Sequence, residues 1–255
     1  MITLIKYDLN YLLKTKKFII ISVVVGIFSL LSPIMAKYLP ELLNSLMTPE
    51  GIQITIPEPT VMDAYRQYFS DMNETILFVI LFFAISIFIR EKTRGMLPLI
   101  LSKPISRRDY IISKFITLII LITISQIIGI LGFSLYTYVL FDEISFGSFL
   151  LSNVPQLLYF VFVISICLFF ATIQKSYLAA LLSSFGVYFV LALLSIITVG
   201  PFKYFPVSLT KFFSQIILNV ADVKDILISL AVTLVMIIGL VYGSIKIFTN
   251  QEVTT

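Results

Sequence analysis

Histidine and tryptophan are absent from this 255-residue chain, cysteine occurs once (Cys167), and only 13% of the residues are charged. Without histidine there can be no Ser–His or Cys–His nucleophile and no H-E-x-x-H metal helix. The commonest general base and pH switch is missing too. One cysteine excludes a disulfide framework within the chain. No G-x-x-x-x-G-K-[ST] phosphate loop occurs, so the chain does not bind ATP in that way. Carboxylates in loops are the only conventional catalytic groups left. The chain therefore reads as one that is not an enzyme, with no catalytic residue and no metal site to name.

What is present is apolar surface. Hydrophobic residues make up 59% of the chain, and the mean hydropathy is +1.04. Soluble domains use roughly 45–50% apolar residues, and a chain of this size could not hide the excess without exposing large patches. The expected fold is therefore all-α and integral to a membrane, a single domain over residues 1–255. At about 20 residues per span, six helices fit: 18–36, 72–89, 115–141, 154–173, 177–199 and 226–245. The third exceeds the hydrocarbon core and should tilt or protrude. Gln174, Lys175 and Ser176 alone separate the fourth from the fifth, which predicts a tight helical hairpin. The N-terminal residues are interrupted by charge and lack a small-residue cleavage site, unlike a secretory signal.

Charge sets the expected orientation. If residues 1–17, the 90–114 loop, the 174–176 turn and the C-terminal tail share one side, that side holds 13 basic and 4 acidic residues. The opposite side holds 5 basic and 10 acidic, counting Glu74 at the outer end of the second span. The positive-inside rule then places both termini in the cytoplasm. The small net charge of +4 lies near the spans, which gives nucleic acid no extended basic surface. Before the first span, Ile2, Ile5, Leu9 and Leu12 recur at helical spacing, with Lys6, Asp8, Asn10 and Lys14 elsewhere. That pattern predicts an interfacial helix on the inner leaflet. In the first outer segment (37–71), Pro40–Met47 is expected to form a short helix and Thr48–Thr60, with three prolines, to be irregular. Thr60 and Asp63 match a capping box that starts another short helix through about Phe69. The last outer segment (200–225) carries Phe202, Tyr204, Phe205, Phe212 and Phe213, suited to the headgroup boundary or a partly re-entrant hairpin.

Apart from Glu74, the six runs contain no ionisable Asp, Glu, Lys, Arg or His. Ion-coupled carriers and pumps usually bury such groups, so coupling to sodium or protons has no obvious agent here, although broken helices can bind ions through carbonyls. Hydroxyls and amides supply the polarity. Ser125, Gln126 and Tyr136 in the third run, and Tyr188 in the fifth, are candidates for a substrate path or for interhelical glue. Ser183, Ser184 and Ser195 add hydroxyls to the fifth. Gly239 and Gly243 form a small-x-x-x-small pair that permits close helix approach.

The most distinctive segment is REKTRGMLPLILSKPISRRDYIISK (90–114), which holds seven of the eighteen Lys and Arg. Ser106 and Asp109 form a capping box, predicting a helix from Arg107 into the third span. Met96–Leu101 is a short apolar segment between Gly95 and Pro104, flanked by Arg94, Lys103, Arg107 and Arg108. A capped, proline-framed apolar surface with a basic rim fits insertion into a groove of a soluble partner. Attraction to anionic lipid headgroups is the other reading.

That loop resembles the "E-K-x-x-G … L-S-K-P-I-S-R" pattern of type-2 ABC-transporter permeases, the ABC-2 superfamily. Here it comprises Glu91, Lys92, Gly95, Leu101, Ser102, Lys103, Pro104, Ile105, Ser106 and Arg107. The stretch Pro57-Glu58-Pro59-Thr60…Asp63-Ala64-Tyr65…Gln67-Tyr68-Phe69 is similar to one in small bacterial members. The resemblance implies a bacterial plasma-membrane subunit that pairs with a second copy or a close homologue. It also implies a separate cytoplasmic ATP-binding cassette subunit, which would hold ATP and Mg while this chain binds no cofactor. By that resemblance the coupling contacts are Glu91, Arg94, Gly95, Met96, Leu97, Leu99, Lys103, Ser106 and Arg107. The implied activity is ATP-driven export of a hydrophobic or amphipathic cargo, as in exporters of phenol-soluble modulins or bacitracin-like antibiotics. The rival is a secondary transporter or membrane scaffold without an ATPase partner.

Overall fold

A computed structural model describes residues 1–47, 58–194 and 200–251. Among them every regular element is helical. The N-terminal helix α1 (Ile2–Lys14) is followed by Lys16, whose φ of 58° turns the chain into α2 (Lys17–Met47). Helix α3 (Val61–Asp71) passes through a π-helical turn (Met72–Ile76) into α4 (Leu77–Thr93). A short α5 (Leu97–Leu101) precedes the long α6 (Arg107–Phe141). Helices α7 (Phe146–Ile173) and α8 (Tyr177–Leu194) form the expected hairpin across residues 174–176. Two 3₁₀ turns (Gly200–Tyr204 and Pro206–Lys211), α9 (Phe212–Ile217) and α10 (Val223–Asn250) complete the chain. Six helical stretches are long and apolar enough to cross a membrane: Lys17–Pro40, Val61–Thr93, Arg107–Phe141, Phe146–Ile173, Tyr177–Leu194 and Val223–Asn250.

Helix α7 is the central post, packed against α4, α6, α8, α9 and α10. Its Phe149, Tyr159, Phe160, Val163, Ile164 and Cys167 are fully buried. On α10 the inward stripe is Ser229, Thr233, Ile237, Ser244 and Phe248. Its small hydroxyl residues let two backbones approach closely where lipid offers no hydrophobic drive for helix association. The outward stripe of the same helix (Leu227, Leu234, Val235, Ile238, Tyr242) is apolar and exposed. Such a surface is untenable in water and ordinary in a bilayer.

Several helices overrun their apolar cores. Pro40–Met47 is no separate helix, because α2 continues through Pro33 and Pro40. The Thr60 capping box forms, with the Thr60 N–H donating to Asp63 Oδ2 at 2.9 Å. The helix it starts does not stop near Phe69, since the π turn carries it into the second span. The fourth span begins at Phe146 rather than Val154, with Pro155 taken into the helix. Residues 48–57, where an irregular stretch is expected, and the end of the fifth span, including Ser195, lie outside the described residues. The aromatic segment after α8 is a packed cap: Val207, Leu209, Phe212 and Ile216 are buried, against α7 and α10. Beside it Phe213 stacks on Phe69 with ring centroids 4.5 Å apart, continuing a cluster of Tyr65, Tyr68, Phe133 and Phe149.

Candidate functional site

Both chain ends, the 90–106 elbow and the α7–α8 turn gather at one end of the bundle: Asp8 meets Arg90, Lys92 Nζ donates to the Thr172 carbonyl, and Arg107 reaches the last turn of α10. The elbow is built locally. Gly95, at φ 64°, supplies the left-handed residue that ends α4. The Met96 N–H then donates to the Glu91 carbonyl at 2.9 Å. Pro98 sits in the first turn of α5, where its missing N–H has no intrahelical partner to lose. Ser106 Oγ accepts from the Asp109 N–H at 2.9 Å and starts α6, as its spacing predicts.

The elbow presents one apolar residue outward. Leu99 is 71% exposed, while Leu97, two positions earlier, is 8% exposed and faces the core. Arg94, Gly95, Lys103 and Ser106 are exposed; Met96 is half-buried. Besides Leu97, two more of the sequence-derived contacts behave differently. Glu91 is 1% exposed and offers no side chain to a docking partner. Arg107 is partly buried, its Nη1 donating to the carbonyls of Phe248, Thr249 and Gln251 at 3.2, 3.0 and 2.5 Å. A guanidinium there satisfies carbonyls that a helix end leaves unpaired. Tyr110 stacks on Phe248 at 5.3 Å beside it.

Behind the elbow lies a feature the sequence conceals: a buried cluster of two acids and two bases. Asp8, Arg90, Glu91 and Lys114 are 4%, 5%, 1% and 1% exposed. Lys114 Nζ lies 2.7 Å from Glu91 Oε2 and 3.5 Å from Asp8 Oδ1. Arg90 Nη2 pairs with Glu91 Oε1 and lies 3.6 Å from Asp8 Oδ1. Tyr110 donates to Glu91 Oε2 at 2.8 Å, and the Arg90 guanidinium sits 3.5 Å above the Tyr11 ring. Opposite charges compensate, so a net-neutral cluster welds α1, α4 and α6 together. Burial pushes the Asp8 carboxyl above the usual carboxylate range, and Lys114 only partly opposes that.

The cluster revises two expectations. Asp8 lies inward with Leu12, and Ile2 is 68% exposed, so the inward face of α1 is rotated from the stripe drawn through Ile2, Ile5, Leu9 and Leu12. Charges just beyond the apolar runs become interior because α4 and α6 continue past those runs and pack on α1. The signal that could have found them is charge of both signs at the edges of apolar stretches: Asp8 one turn from Leu12, with Arg90, Glu91 and Lys114 at run boundaries. Between α1 and the elbow, against this cluster, is a cavity of about 290 Å³. Leu4, Met96, Ile100 and Ile105 form its sides.

The weaker candidates separate. Gln126 is buried, its Nε2 donating to the carbonyl oxygen and Oδ1 of Asn153 at 3.1 and 3.0 Å. Asn153 Oδ1 also accepts from Tyr68 at 3.1 Å, so Gln126 ties α6 to α7 and α3. Ser125 Oγ lies 3.1 Å from Ser22 Oγ of α2 and donates to the Leu121 carbonyl. Tyr136 is 37% exposed on α6, apart from this network. Tyr188 is half-buried on α8. Gly239 and Gly243 do not act as a pair: a Cβ at Gly239 would meet nothing within 4 Å, whereas one at Gly243 would lie 3.2 Å from Phe169. Close approach occurs instead at Gly129, where a Cβ would lie 2.7 Å from Ser29 Oγ and 2.8 Å from Val25 Cγ1. Among the described residues no cluster of His, Cys, Asp and Glu suits a metal.

Comparison with known proteins places this geometry. The family model described as ABC-2 family transporter protein matches residues 2–207, from α1 through the elbow into the aromatic cap after α8. An uncharacterized transmembrane protein of Bacillus subtilis (strain 168), YxlG, is 26% identical over 181 residues, 68% of this chain and 67% of its own length. The chain belongs to the ABC-2 family of transporter proteins, as a multi-pass membrane subunit.

Proposed function

We propose that this chain is the permease of an ATP-driven exporter, receiving work at the 90–106 elbow from a separate ATP-binding cassette subunit. The observation that carries the reading is the elbow itself: an exposed Leu99 between the basic residues Arg94 and Lys103, on a segment welded to the bundle through Glu91 and Arg107. An apolar knob with a cationic rim suits a groove whose edge is acidic. ATP and Mg would reside on the partner, with no cofactor on this chain. Two permeases, identical or closely related, would complete the transporter in a bacterial plasma membrane, with the elbow and both termini cytoplasmic. The cargo is hydrophobic or amphipathic, and a membrane-active peptide fits it, because the interior polarity of the bundle is hydroxyl and amide while its buried charges sit neutralised behind the elbow.

The test is purification of the full chain from its native membrane, with ATP hydrolysis measured in the product. An ATP-binding cassette subunit should accompany the wild type and be depleted at least tenfold by Leu99→Asp with Arg94→Glu, while membrane insertion is retained. Transport by the purified chain alone, driven by a sodium or proton gradient, would establish the secondary carrier instead.

A further inference from the structure

The cavity between α1 and the elbow is a bowl. Its rim is exposed (Tyr7, Leu99, Lys103), its sides are apolar, and its floor includes the buried Tyr110 with Asp8, Glu91 and Lys114 of the charge cluster. About 290 Å³ is close to the lower end of small-molecule sites. Asp8, Glu91 and Lys114 line the floor, and Arg90, behind them, pairs with both acids, so the cluster as a whole brings no net charge. Lys103 is therefore the lining charge left uncompensated, an exposed ammonium at the mouth. Helix α1 supplies a second indication: away from the bowl it exposes Met1, Ile2 and Leu13 among Lys6, Lys14 and Lys16, the amphipathic composition of a helix that lies at a bilayer surface.

We propose that this bowl binds an anionic amphiphile, its alkyl chain among Leu4, Met96, Ile100 and Ile105 and its anionic head on Lys103. The shape and the charge agree on that chemistry. A long apolar body fits the lining, a cationic ligand would be repelled at the mouth, and a wholly apolar one would leave Lys103 unused. The ligand touches α1 on one side and α5 on the other, so its occupancy bridges the surface helix and the elbow. Two sources offer this chemistry: an anionic phospholipid of the surrounding leaflet, and a free fatty acid. The assignment shares Leu99 and Lys103 with the proposed docking rim, so it is tested on the chain alone, where no ATPase subunit covers the bowl.

The experiment is photolabelling of the full chain in phosphatidylcholine nanodiscs with a diazirine-bearing fatty acid, and separately with a diazirine-bearing phosphatidylglycerol, with labelled residues mapped by mass spectrometry. Label should concentrate on residues 96–105 and 4–8 and be competed by laurate more strongly than by dodecanol. Lys103→Gln should reduce it about two- to fivefold, the range of an exposed ion pair. Ile100→Trp, which fills the bowl, should reduce it at least fivefold. Labelling by the free acid alone, or by phosphatidylglycerol alone, identifies the source. Label confined to the outward faces of the spans, or equal labelling of Lys103→Gln and wild type with dodecanol competing as well as laurate, overturns the assignment. The rim variant keeps the test valid should Ile100→Trp fail to fold.

Discussion

Replacing Glu91 with glutamine removes one charge from the neutral cluster and leaves Arg90 and Lys114 sharing Asp8. Glu91 is 1% exposed. Its carboxylate takes Lys114 Nζ at 2.7 Å, the Tyr110 hydroxyl at 2.8 Å and the Arg90 guanidinium. The remaining acid is poorly placed to compensate, at 3.5 Å from Lys114 and 3.6 Å from Arg90. Breaking a buried ion pair from one side costs about 3–5 kcal/mol, because the surviving charge is stranded away from water. At about 2–4 °C per kcal/mol for a chain of this size, Glu91→Gln should lower the melting temperature by roughly 6–20 °C. Asp8→Asn should cost less, since its contacts are longer and burial already makes its charged form less favourable. A second variant separates charge from packing: Glu91→Leu combined with Lys114→Met removes a pair together, and should recover most of the loss caused by Glu91→Leu alone. The assay is thermal unfolding of the full chain in nanodiscs at fixed lipid composition. Glu91→Gln melting within about 2 °C of wild type, or no recovery in the double variant, would refute the idea that these four side chains clamp α1, α4 and α6.

Three further outcomes follow from the packing. Gly129→Ala should destabilise by about 1–3 kcal/mol, the usual range for overpacking, because its Cβ would meet Ser29 and Val25 below 3.0 Å; Gly239→Ala, facing open space, should be neutral or slightly stabilising in the same melt. Arg107→Ala should raise hydrogen exchange in the last turns of α10, which lose the donor to Phe248, Thr249 and Gln251. Gln126→Leu should cost about 1–3 kcal/mol, the range for a lost buried hydrogen bond with a stranded partner, while a transport assay normalised to folded protein should show an unchanged cargo preference, because Gln126 is engaged with Asn153.

Much of this was legible in sequence where one physical rule dominated. Hydrophobic length gave six spans, and the Ser106–Asp109 and Thr60–Asp63 spacings gave two helix starts, because a cap is a local contact within four residues. What stayed hidden depends on neighbours distant in the chain. Hydropathy ends a span at its first charge, yet α4 and α6 run on to Thr93 and back to Arg107, carrying Glu91 and Lys114 inside. Their burial is tolerable only because Asp8, more than 80 positions from either, arrives on α1. Gly239 and Gly243 satisfied a pattern, but the pattern cannot say which face of α10 meets α7. Gly129, four residues after Ser125, shares that small-x-x-x-small spacing and is the close approach, since α6 crosses α2 there. Arg107 looked like a rim charge for a partner, and the last turn of α10 claims it.

The most direct measurement reconstitutes the chain with its ATP-binding cassette subunit in proteoliposomes and follows ATP hydrolysis and cargo movement together, for wild type and for Leu99→Asp with Arg94→Glu. If the exposed elbow is where work enters, the wild type should move an amphipathic peptide only with ATP. The double variant should lose both the association and the movement while still inserting. Full transport by the double variant, or by the chain with no nucleotide-hydrolysing subunit present, would contradict it.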